Sequence, residues 1–442
     1  MAFGFWALKF MKIKFIAIIL FLLPSYLIRF SFFGLPTTFL EILIWAGLVW
    51  SLFNWREWKK ILALPKVFKI SIELILLGAI VGVFIAPDKA SALGQFKGFI
   101  FDPLLFAGLV YVWSQNSVKK NYTKPQTAIA SHFYTAKHRS EQIYDGLILS
   151  GIVLSLIALG QKLAGISTPD GRVLSIWQWD TGASANYLAM YLAPIAVLLF
   201  WRLGNFKNGK KLVDWLPGFI LVILAIFWSG SRAGLIAVSA GIIFFLLKKY
   251  SKIYILKSKS LKSLIWLICL SAVVGTIYLA GRPNFSASPN SGRISSSNNI
   301  RWEIWRVTIR EILPQNQNWI FGIGLGNFQN YFTNLTQNRV NFPEYISPRA
   351  LTPHNLYLHI WLSGGIIMLV GFLLLIWQIF KKSAPSANGT ATVLEQSVIF
   401  SILIYGLIDT PIFKNDLAII WWLIIAMFLT KNNLSNETKN IR

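Results

Sequence analysis

The chain has 442 residues, of which 55% are hydrophobic and 13% are charged, and its formal net charge is +25. Soluble proteins carry about 25% charged residues, so this composition excludes a water-soluble globular enzyme and predicts a polytopic membrane protein. The single cysteine, Cys269, excludes a disulfide framework and a cysteine metal site.

Twelve apolar segments are predicted to cross the membrane, because about 20 apolar helical residues span the roughly 30 Å of hydrocarbon. They are 10–28, 32–53, 70–86, 96–113, 143–164, 184–201, 213–228, 233–247, 262–280, 355–380, 393–409 and 412–430. Residues 213–247 are too long for one span, so we predict two short helices joined by a tight turn at Ser229 to Arg232. The predicted fold is all-α, and residues 1–442 are expected to form a single integral membrane domain.

The distribution of basic residues predicts which loops face the cytoplasm. With the N-terminus inside, the inner segments hold 24 Lys and 4 Arg, whereas the outer segments hold 4 Lys and 10 Arg. Because basic residues concentrate in cytoplasmic loops, we expect both termini, including a tail at 431–442, to be cytoplasmic. Most of the positive charge therefore reports orientation in the membrane, and no nucleic-acid partner is expected.

The longest outer loop, residues 281–353, contains seven Arg and no Lys. A guanidinium group can bind phosphate through two parallel hydrogen bonds, which an ammonium group cannot do. Residues 300–313 are predicted to form a helix, carrying Arg301, Arg306 and Arg310, that lies at the membrane surface or over a polar cavity. The alternative is a solvated helix whose Arg side chains pair with the acids Glu303, Glu311 and Glu344.

Two further patterns, one within this loop and one directly after it, bear on function. The glycines of FGIGLGNF, residues 321–328, are expected to let the backbone pass close to other elements, because the strand and helix of a nucleotide-binding loop are missing around them. His354 follows Pro353 where a long apolar helix begins, so the helix dipole should keep its imidazole neutral and able to accept a proton. A hydrogen-bonded structural histidine is the alternative.

Two other outer turns add cations to this group. Arg232 lies in the tight turn SGSRAG, and Arg172 lies in the loop before Asn186. Several Arg and a neutral histidine, without paired carboxylates or metal ligands, fit the binding of a pyrophosphate while a base activates a hydroxyl group.

The order of these motifs resembles that of the O-antigen ligase and Wzy-type polymerase superfamily. The motifs are Arg172 with Asn186, GSRAG around Arg232, RWEIWRVTI beginning at Arg301, GIGLGNF at 322–328 and PHNLYL around His354. The resemblance covers residues 143–410. It implies a membrane glycosyltransferase of the GT-C-like type, in the bacterial inner membrane, with a periplasmic active site.

The resemblance also implies a reaction in polysaccharide and lipopolysaccharide biosynthesis of the cell envelope. A glycan would pass from an undecaprenyl pyrophosphate carrier, held among membrane lipids, to the hydroxyl group of a lipid or glycan acceptor, with no metal and no other cofactor. In that family's pattern the catalytic residues are His354 as the base and Arg232 and Arg301 as the pyrophosphate ligands. The expected substrate-binding residues are Arg172, Asn186, Arg306 and Asn355.

Two alternatives stay open at this point. A polymerase would use a second lipid-linked glycan as its acceptor and would need the same donor site. A transporter of a small anion such as bicarbonate, described for a cyanobacterial branch of the superfamily, would use the acids Glu41 and Asp102 inside predicted spans. Each of those acids could instead be a structural partner for an Arg or a hydrogen-bonded neutral acid.

Overall fold

The computed structural model describes residues 2–32, 35–115, 125–179, 184–204, 209–249, 297–337, 350–381 and 392–439. Its helices are α1 Ala2–Phe21, α2 Phe39–Leu52, α3 Lys59–Leu62, α4 Lys66–Ile85, α5 Lys89–Phe96, α6 Asp102–Ser114, α7 Pro125–Leu163, α8 Ala185–Gly204, α9 Gly209–Trp228, α10 Arg232–Lys249, α11 Ser297–Val307, α12 Asn318–Phe321, α13 Phe328–Thr336, α14 Leu356–Lys381, α15 Val393–Tyr405 and α16 Asn415–Lys439. A π-helical turn, Lys97–Phe101, joins α5 to α6, and a second, Thr308–Ile312, extends α11.

The chain is a mostly helical integral membrane protein. Within the described ranges, five helical stretches are long and apolar enough to cross a membrane: Lys66–Ile85, Lys89–Ser114, Ser140–Leu163, Asn186–Leu203 and Leu356–Lys381. Three shorter apolar helices are Phe39–Leu52, Asp214–Trp228 and Val393–Tyr405. The predicted segment 262–280 lies outside the described residues, and the total of twelve spans stays a prediction.

A short β-hairpin departs from the all-α expectation. Strand β1, Arg29–Phe32, pairs antiparallel with β2, Leu35–Thr38, so the second apolar segment begins later than the predicted residue 32. Helix α2 begins at Phe39 because Thr38 and Glu41 form a reciprocal capping box, in which each side chain bonds the other residue's backbone N–H.

The predicted division of residues 213–247 into two helices is confirmed. Helix α9 ends at Trp228 and α10 begins at Arg232, and the turn between them places Gly230 at a φ of 67°. A left-handed conformation of this kind favours glycine, which has no Cβ to clash with the backbone.

Glycines bring α4 and α14 into close contact along their length. A methyl group on Gly82 would lie 2.1 Å from the carbonyl oxygen of Ser363, and one on Gly78 would lie 2.6 Å from the backbone nitrogen of Met368. Such small residues let membrane helices pack backbone to backbone. Helix α14 is itself broken at Gly364 and Gly365, where the backbone leaves the helical region.

The loop FGIGLGNF is fixed to the same helix ends, as predicted from its glycines. The backbone N–H of Ile323 donates to the carbonyl of Leu362 at 2.7 Å, and that of Leu325 donates to the carbonyl of Gly82 at 3.1 Å. A Cβ on Gly324, whose φ is 95°, would lie 2.5 Å from the Cα of Ala86. The loop follows the segment that carries Arg301, and it bonds to the last turn of α4 and to the residues just before the break in α14.

Candidate active site

The start of α14 is held against the turn that follows α15. Asn355 caps α14, because its Oδ1 accepts hydrogen bonds from the backbone N–H groups of Tyr357 and Leu358, each at 3.0 Å. The Asn355 side-chain amide donates to the carbonyl of Leu407 at 3.1 Å. His354 therefore lies beside the helix N-terminus, as predicted, although Pro353 lies before the first turn and not within it.

His354 adopts an unusual backbone conformation and faces a carboxylate. Its φ of 46° lies in the left-handed region, which residues other than glycine rarely occupy and which is enriched at functional sites. Its Nδ1 lies 3.4 Å from Oδ1 of Asp409. The histidine side chain is 33% exposed, whereas that of Asp409 is 7% exposed, so the pair joins a buried acid to an accessible imidazole.

Asp409 lies in the link between α15 and α16 and is held by a second partner. The side-chain amide of Asn186 donates to its Oδ2 at 3.0 Å. Burial raises the pKa of Asp409, but the hydrogen bond and charge of His354 and the charge of Arg301 outweigh burial and place this pKa below its ordinary value. Asp409 is therefore an ionised carboxylate at neutral pH.

This carboxylate faces Nδ1 of the imidazole, an arrangement that suits proton transfer. When Nδ1–H donates to Asp409, the other ring nitrogen, Nε2, carries no proton and can accept one. The negative charge also stabilises the imidazolium that forms after proton uptake. His354 and Asp409 together are suited to act as a base and its orienting group.

Arg301 lies on α11. Its positive charge is one of the causes that lower the pKa of Asp409. Four residues along α11, the indole N–H of Trp305 donates to the carbonyl of Pro353 at 2.9 Å. The helix is therefore anchored directly beside His354.

Arg172 and Arg232 approach the same end of the bundle through the turn between α9 and α10. A Cβ on Gly230 would lie 3.2 Å from side-chain atoms of Arg172, and exposed Arg232 begins α10 two residues later. Between them, the Ser231 hydroxyl lies 2.7 Å from that of Tyr405, which donates to the carbonyl of Asn186 at 3.3 Å. Arg172 Nε also pairs with Asp170 at 2.8 Å.

Arg306 has a partner on its own helix. Its Nε donates to Oε2 of Glu303 at 2.9 Å, and its second guanidinium nitrogen lies 2.8 Å from the same oxygen. This pairing matches the alternative considered for the outer Arg residues. Its neighbour on the same face, Arg310, is exposed.

Of the two acids noted for a transporter, Glu41 has a structural role. It completes the cap of α2, and its Oε2 lies 2.7 Å from Nζ of Lys97. Asp102 is buried at the start of α6. Glu41 thus has a structural partner, but that partner is Lys97 and not the Arg that the sequence analysis considered.

Asp409 is the residue of this site that sequence reasoning missed. It is the last residue of the predicted segment 393–409, where Asp409, Thr410 and Pro411 interrupt the hydrophobic pattern. Counting the predicted spans places this interruption on the same side of the membrane as His354, and that placement could have drawn attention to it. Within the described ranges, no group of three His, Cys, Asp or Glu side chains is arranged to hold a metal ion.

The fold and this cluster define an integral membrane protein with His354, its carboxylate partner Asp409 and Arg residues at one end of its helices. The O-antigen ligase family model matches residues 217–373, a range that includes Arg232, Arg301 and His354. The resemblance seen in the motifs is therefore confirmed for residues 217–373, which are similar to the O-antigen ligase family.

A curated relative supports the same family. A protein of Rickettsia conorii that is named as a candidate polysaccharide ligase is 24% identical over 267 residues. The match covers 56% of this chain and 55% of the relative, so the chain spans just over half the length of that protein.

Proposed function

We propose that this protein is a polysaccharide ligase that transfers a glycan from an undecaprenyl pyrophosphate carrier to an acceptor hydroxyl group, as in the attachment of O-antigen to a lipid A core. The reaction takes place at the periplasmic face of the bacterial inner membrane. The observation that carries this proposal is the contact between His354 Nδ1 and Asp409 Oδ1, at 3.4 Å, beside the charge of Arg301.

In the proposed reaction the acceptor oxygen attacks the anomeric carbon of the carrier-linked sugar. His354 Nε2 takes the proton of the acceptor hydroxyl as the new glycosidic bond forms. The bond from the anomeric carbon to the pyrophosphate oxygen breaks, and its electron pair stays on the pyrophosphate. A positioned base of this kind contributes roughly 10²–10⁴-fold to rate.

The leaving pyrophosphate gains negative charge, which the Arg residues neutralise. Arg232 and Arg301 bind the pyrophosphate oxygens, and bidentate guanidinium contacts suit this task better than ammonium contacts. Arg172 and Asn355 lie around the same end of the bundle and support substrate binding. Asn186 acts through Asp409, to which it donates its hydrogen bond.

Arg306 is the least favoured of the substrate-binding residues, because Glu303 already holds its guanidinium group. A donor phosphate would have to displace that acid. Arg306 is therefore assigned a secondary contact, at the edge of the site.

Glycan display in cells tests this function. A host that lacks its own copy of the gene is complemented with the wild-type chain, with His354→Ala or with the matched control His359→Phe. His359 lies in α14, where its ring packs edge-on against Phe413 with centroids 4.1 Å apart, and phenylalanine preserves that packing. We expect His354→Ala to accumulate lipid-linked glycan at normal protein levels, and normal display in that variant would contradict the proposal.

The two alternatives predict different products in the same cells. A polymerase variant would leave single repeat units on the carrier and on the acceptor, whereas a ligase variant would leave complete polymer on the carrier. A bicarbonate-type transporter would show solute uptake in proteoliposomes that survives His354→Ala and is lost when Glu41 or Asp102 is replaced.

A further inference from the structure

Helix α12 displays two large apolar side chains outside the membrane-spanning helices. Trp319 is 50% exposed and Phe321 is 43% exposed. The helix is firmly held on its other side, because the buried side-chain amide of Asn318 donates to the carbonyl of Ile312 at 2.7 Å and to the hydroxyl of Tyr331 at 3.0 Å. The two exposed rings therefore project from a fixed backbone.

The contacts of α12 place it at the level where α4 ends. The indole N–H of Trp361 donates to the carbonyl of Trp319 at 2.7 Å, and a Cβ on Gly365 would lie 2.0 Å from the carbonyl of Ile320. The loop that follows α12 bonds to Gly82, in the last turn of α4. Helix α12 thus packs against the break of α14, and the loop that follows it bonds to the last turn of α4.

The length and composition of α4 indicate that its Ile85 end lies at a membrane surface. Its 20 residues are about 30 Å long at 1.5 Å per residue, which matches the hydrocarbon thickness of a bilayer. Phe84 is 75% exposed and Ile85 is 37% exposed at this end, and Nζ of Lys89 caps the helix by donating to the carbonyl of Ala86 at 2.7 Å. A cation at this level faces the phosphates of lipid headgroups.

We propose that Trp319 and Phe321 insert into the headgroup region of the bilayer at the Ile85 end of α4, which is the outer leaflet in the predicted orientation. Their rings continue the exposed apolar surface of Phe84 and Ile85 beyond the end of the span. Aromatic side chains favour this interface, where an apolar ring and nearby polar groups are both solvated. The lipid anchor fixes the height of the segment that carries Arg301 above the membrane.

Spin labels at single cysteines test this placement in proteoliposomes. Trp319 or Phe321 is replaced by cysteine in a Cys269→Ser background, and each cysteine is then labelled. Phe84→Cys is the lipid-facing reference, and Asn330→Cys, at an exposed position on α13, is the aqueous reference. Power-saturation EPR compares accessibility to oxygen, which concentrates in lipid, with accessibility to a water-soluble nickel chelate. The hydrogen bond from Trp361 reaches the Trp319 backbone, so both labelled chains keep it.

We expect the ratio of oxygen accessibility to chelate accessibility at positions 319 and 321 to be at least threefold higher than at position 330. At both positions this ratio should resemble the ratio at position 84. Labels that match position 330 overturn the proposal. Labels shielded from both reagents also overturn it, because a protein surface would then cover the patch. Hydroxyl-radical footprinting of the unmodified chain in liposomes is a second measurement. If Trp319 is protected from oxidation as strongly as Phe84, the result supports the anchor, and rapid oxidation of Trp319 contradicts it.

Discussion

The carboxylate of Asp409 lies 3.4 Å from the imidazole Nδ1 of His354, although 55 residues separate them along the chain. The pair depends on two helix ends meeting: the cap of α14 at Asn355 bonds to Leu407, in the turn after α15. Helix α11, which carries Arg301, is held beside the same helix start by the hydrogen bond from Trp305 to the carbonyl of Pro353. The proposed chemistry thus arises from the junction of several elements and not from a single motif.

Removing the charge of Asp409 should reduce transfer without removing the fold. Asp409→Asn keeps the shape and can still meet Asn186, but a neutral amide can hold His354 in the wrong tautomer and cannot stabilise imidazolium. We expect the rate of transfer to fall by roughly 10²-fold, within the range of general-base contributions. Initial rates with purified protein measure this, and Glu303→Gln, a charge removal on the neighbouring α11, is the control that should retain activity.

Acid pH should erase the stabilising effect of the same carboxylate. The native pKa of Asp409 is lowered, and an unfolded Asp has a pKa of about 3.9. Its stabilisation is therefore present above about pH 4 and is lost as the pH falls through the lower native pKa. Melting temperatures of wild type and Asp409→Asn in nanodiscs should differ most near neutral pH and converge below about pH 4. A constant difference across this range would be inconsistent with an ionised Asp409.

Arg301 and Arg306 offer a matched pair of substitutions on one helix. Arg301→Lys keeps the charge but loses the planar fork that binds a phosphate at two points, so we expect transfer to fall more than about tenfold. Arg306→Lys should have a much smaller effect, because Glu303 already holds that side chain. Steady-state rates at several donor concentrations measure both. Equal losses in the two variants would argue against a specific pyrophosphate site at Arg301.

The side chain of Asn355, which caps α14, should contribute to the free energy of unfolding. Asn355→Ala removes the two hydrogen bonds to the first turn and the one to Leu407, and the loss of the cap alone should destabilise the protein by about 1 kcal/mol. Asn355→Asp keeps the acceptor oxygen for the first turn but cannot donate to the carbonyl of Leu407, so it should recover only part of the loss. Thermal unfolding in detergent gives the comparison, and a stable Asn355→Ala protein would show that the cap is dispensable.

The break in α14 should tolerate no side chain. Gly365 has a φ of 67°, and a Cβ there would lie 2.0 Å from the carbonyl of Ile320. The left-handed conformation alone costs a residue other than glycine about 1–2 kcal/mol, and the backbone clash adds to it. Gly365→Ala should therefore lower the yield of monodisperse protein sharply.

Gly160→Ala is the matched control for this substitution. Gly160 lies within α7, and a Cβ there would meet nothing within 4 Å. Alanine at such a helical position is expected to be neutral or stabilising by up to about 1 kcal/mol. Size-exclusion profiles of the two variants decide the point, and equal yields would mean that the close approach at Gly365 is not required.

Local rules predicted several elements of this site. The turn at Gly230, the close approaches of the FGIGLGNF glycines and the position of His354 beside a helix start all follow from backbone preferences of a few neighbouring residues. The pairing of Arg306 with Glu303 is equally local, since residues three apart on a helix face each other. The sequence analysis gives such ion pairs as the alternative for the outer Arg residues, and the structure contains this one.

Other features depend on long-range packing and could not be predicted in this way. The contact between His354 and Asp409 forms only when the start of α14 meets the turn after α15, and no periodicity in the sequence links them. The hairpin at 29–38 depends on the pairing of two short strands, which a count of apolar residues along the chain does not detect. The break at Gly364 and Gly365 resembles the small-residue pairs that unbroken membrane helices use for packing.

Transfer by purified protein in nanodiscs tests the central proposal most directly. The substrates are a synthetic undecaprenyl pyrophosphate glycan and a lipid acceptor, and wild type is compared with His354→Ala while donor binding is measured in parallel. The account predicts that wild type forms the linked product and releases undecaprenyl pyrophosphate, whereas His354→Ala binds the donor with similar affinity but loses at least about 10²-fold in rate. Product formation by His354→Ala at the wild-type rate would contradict it.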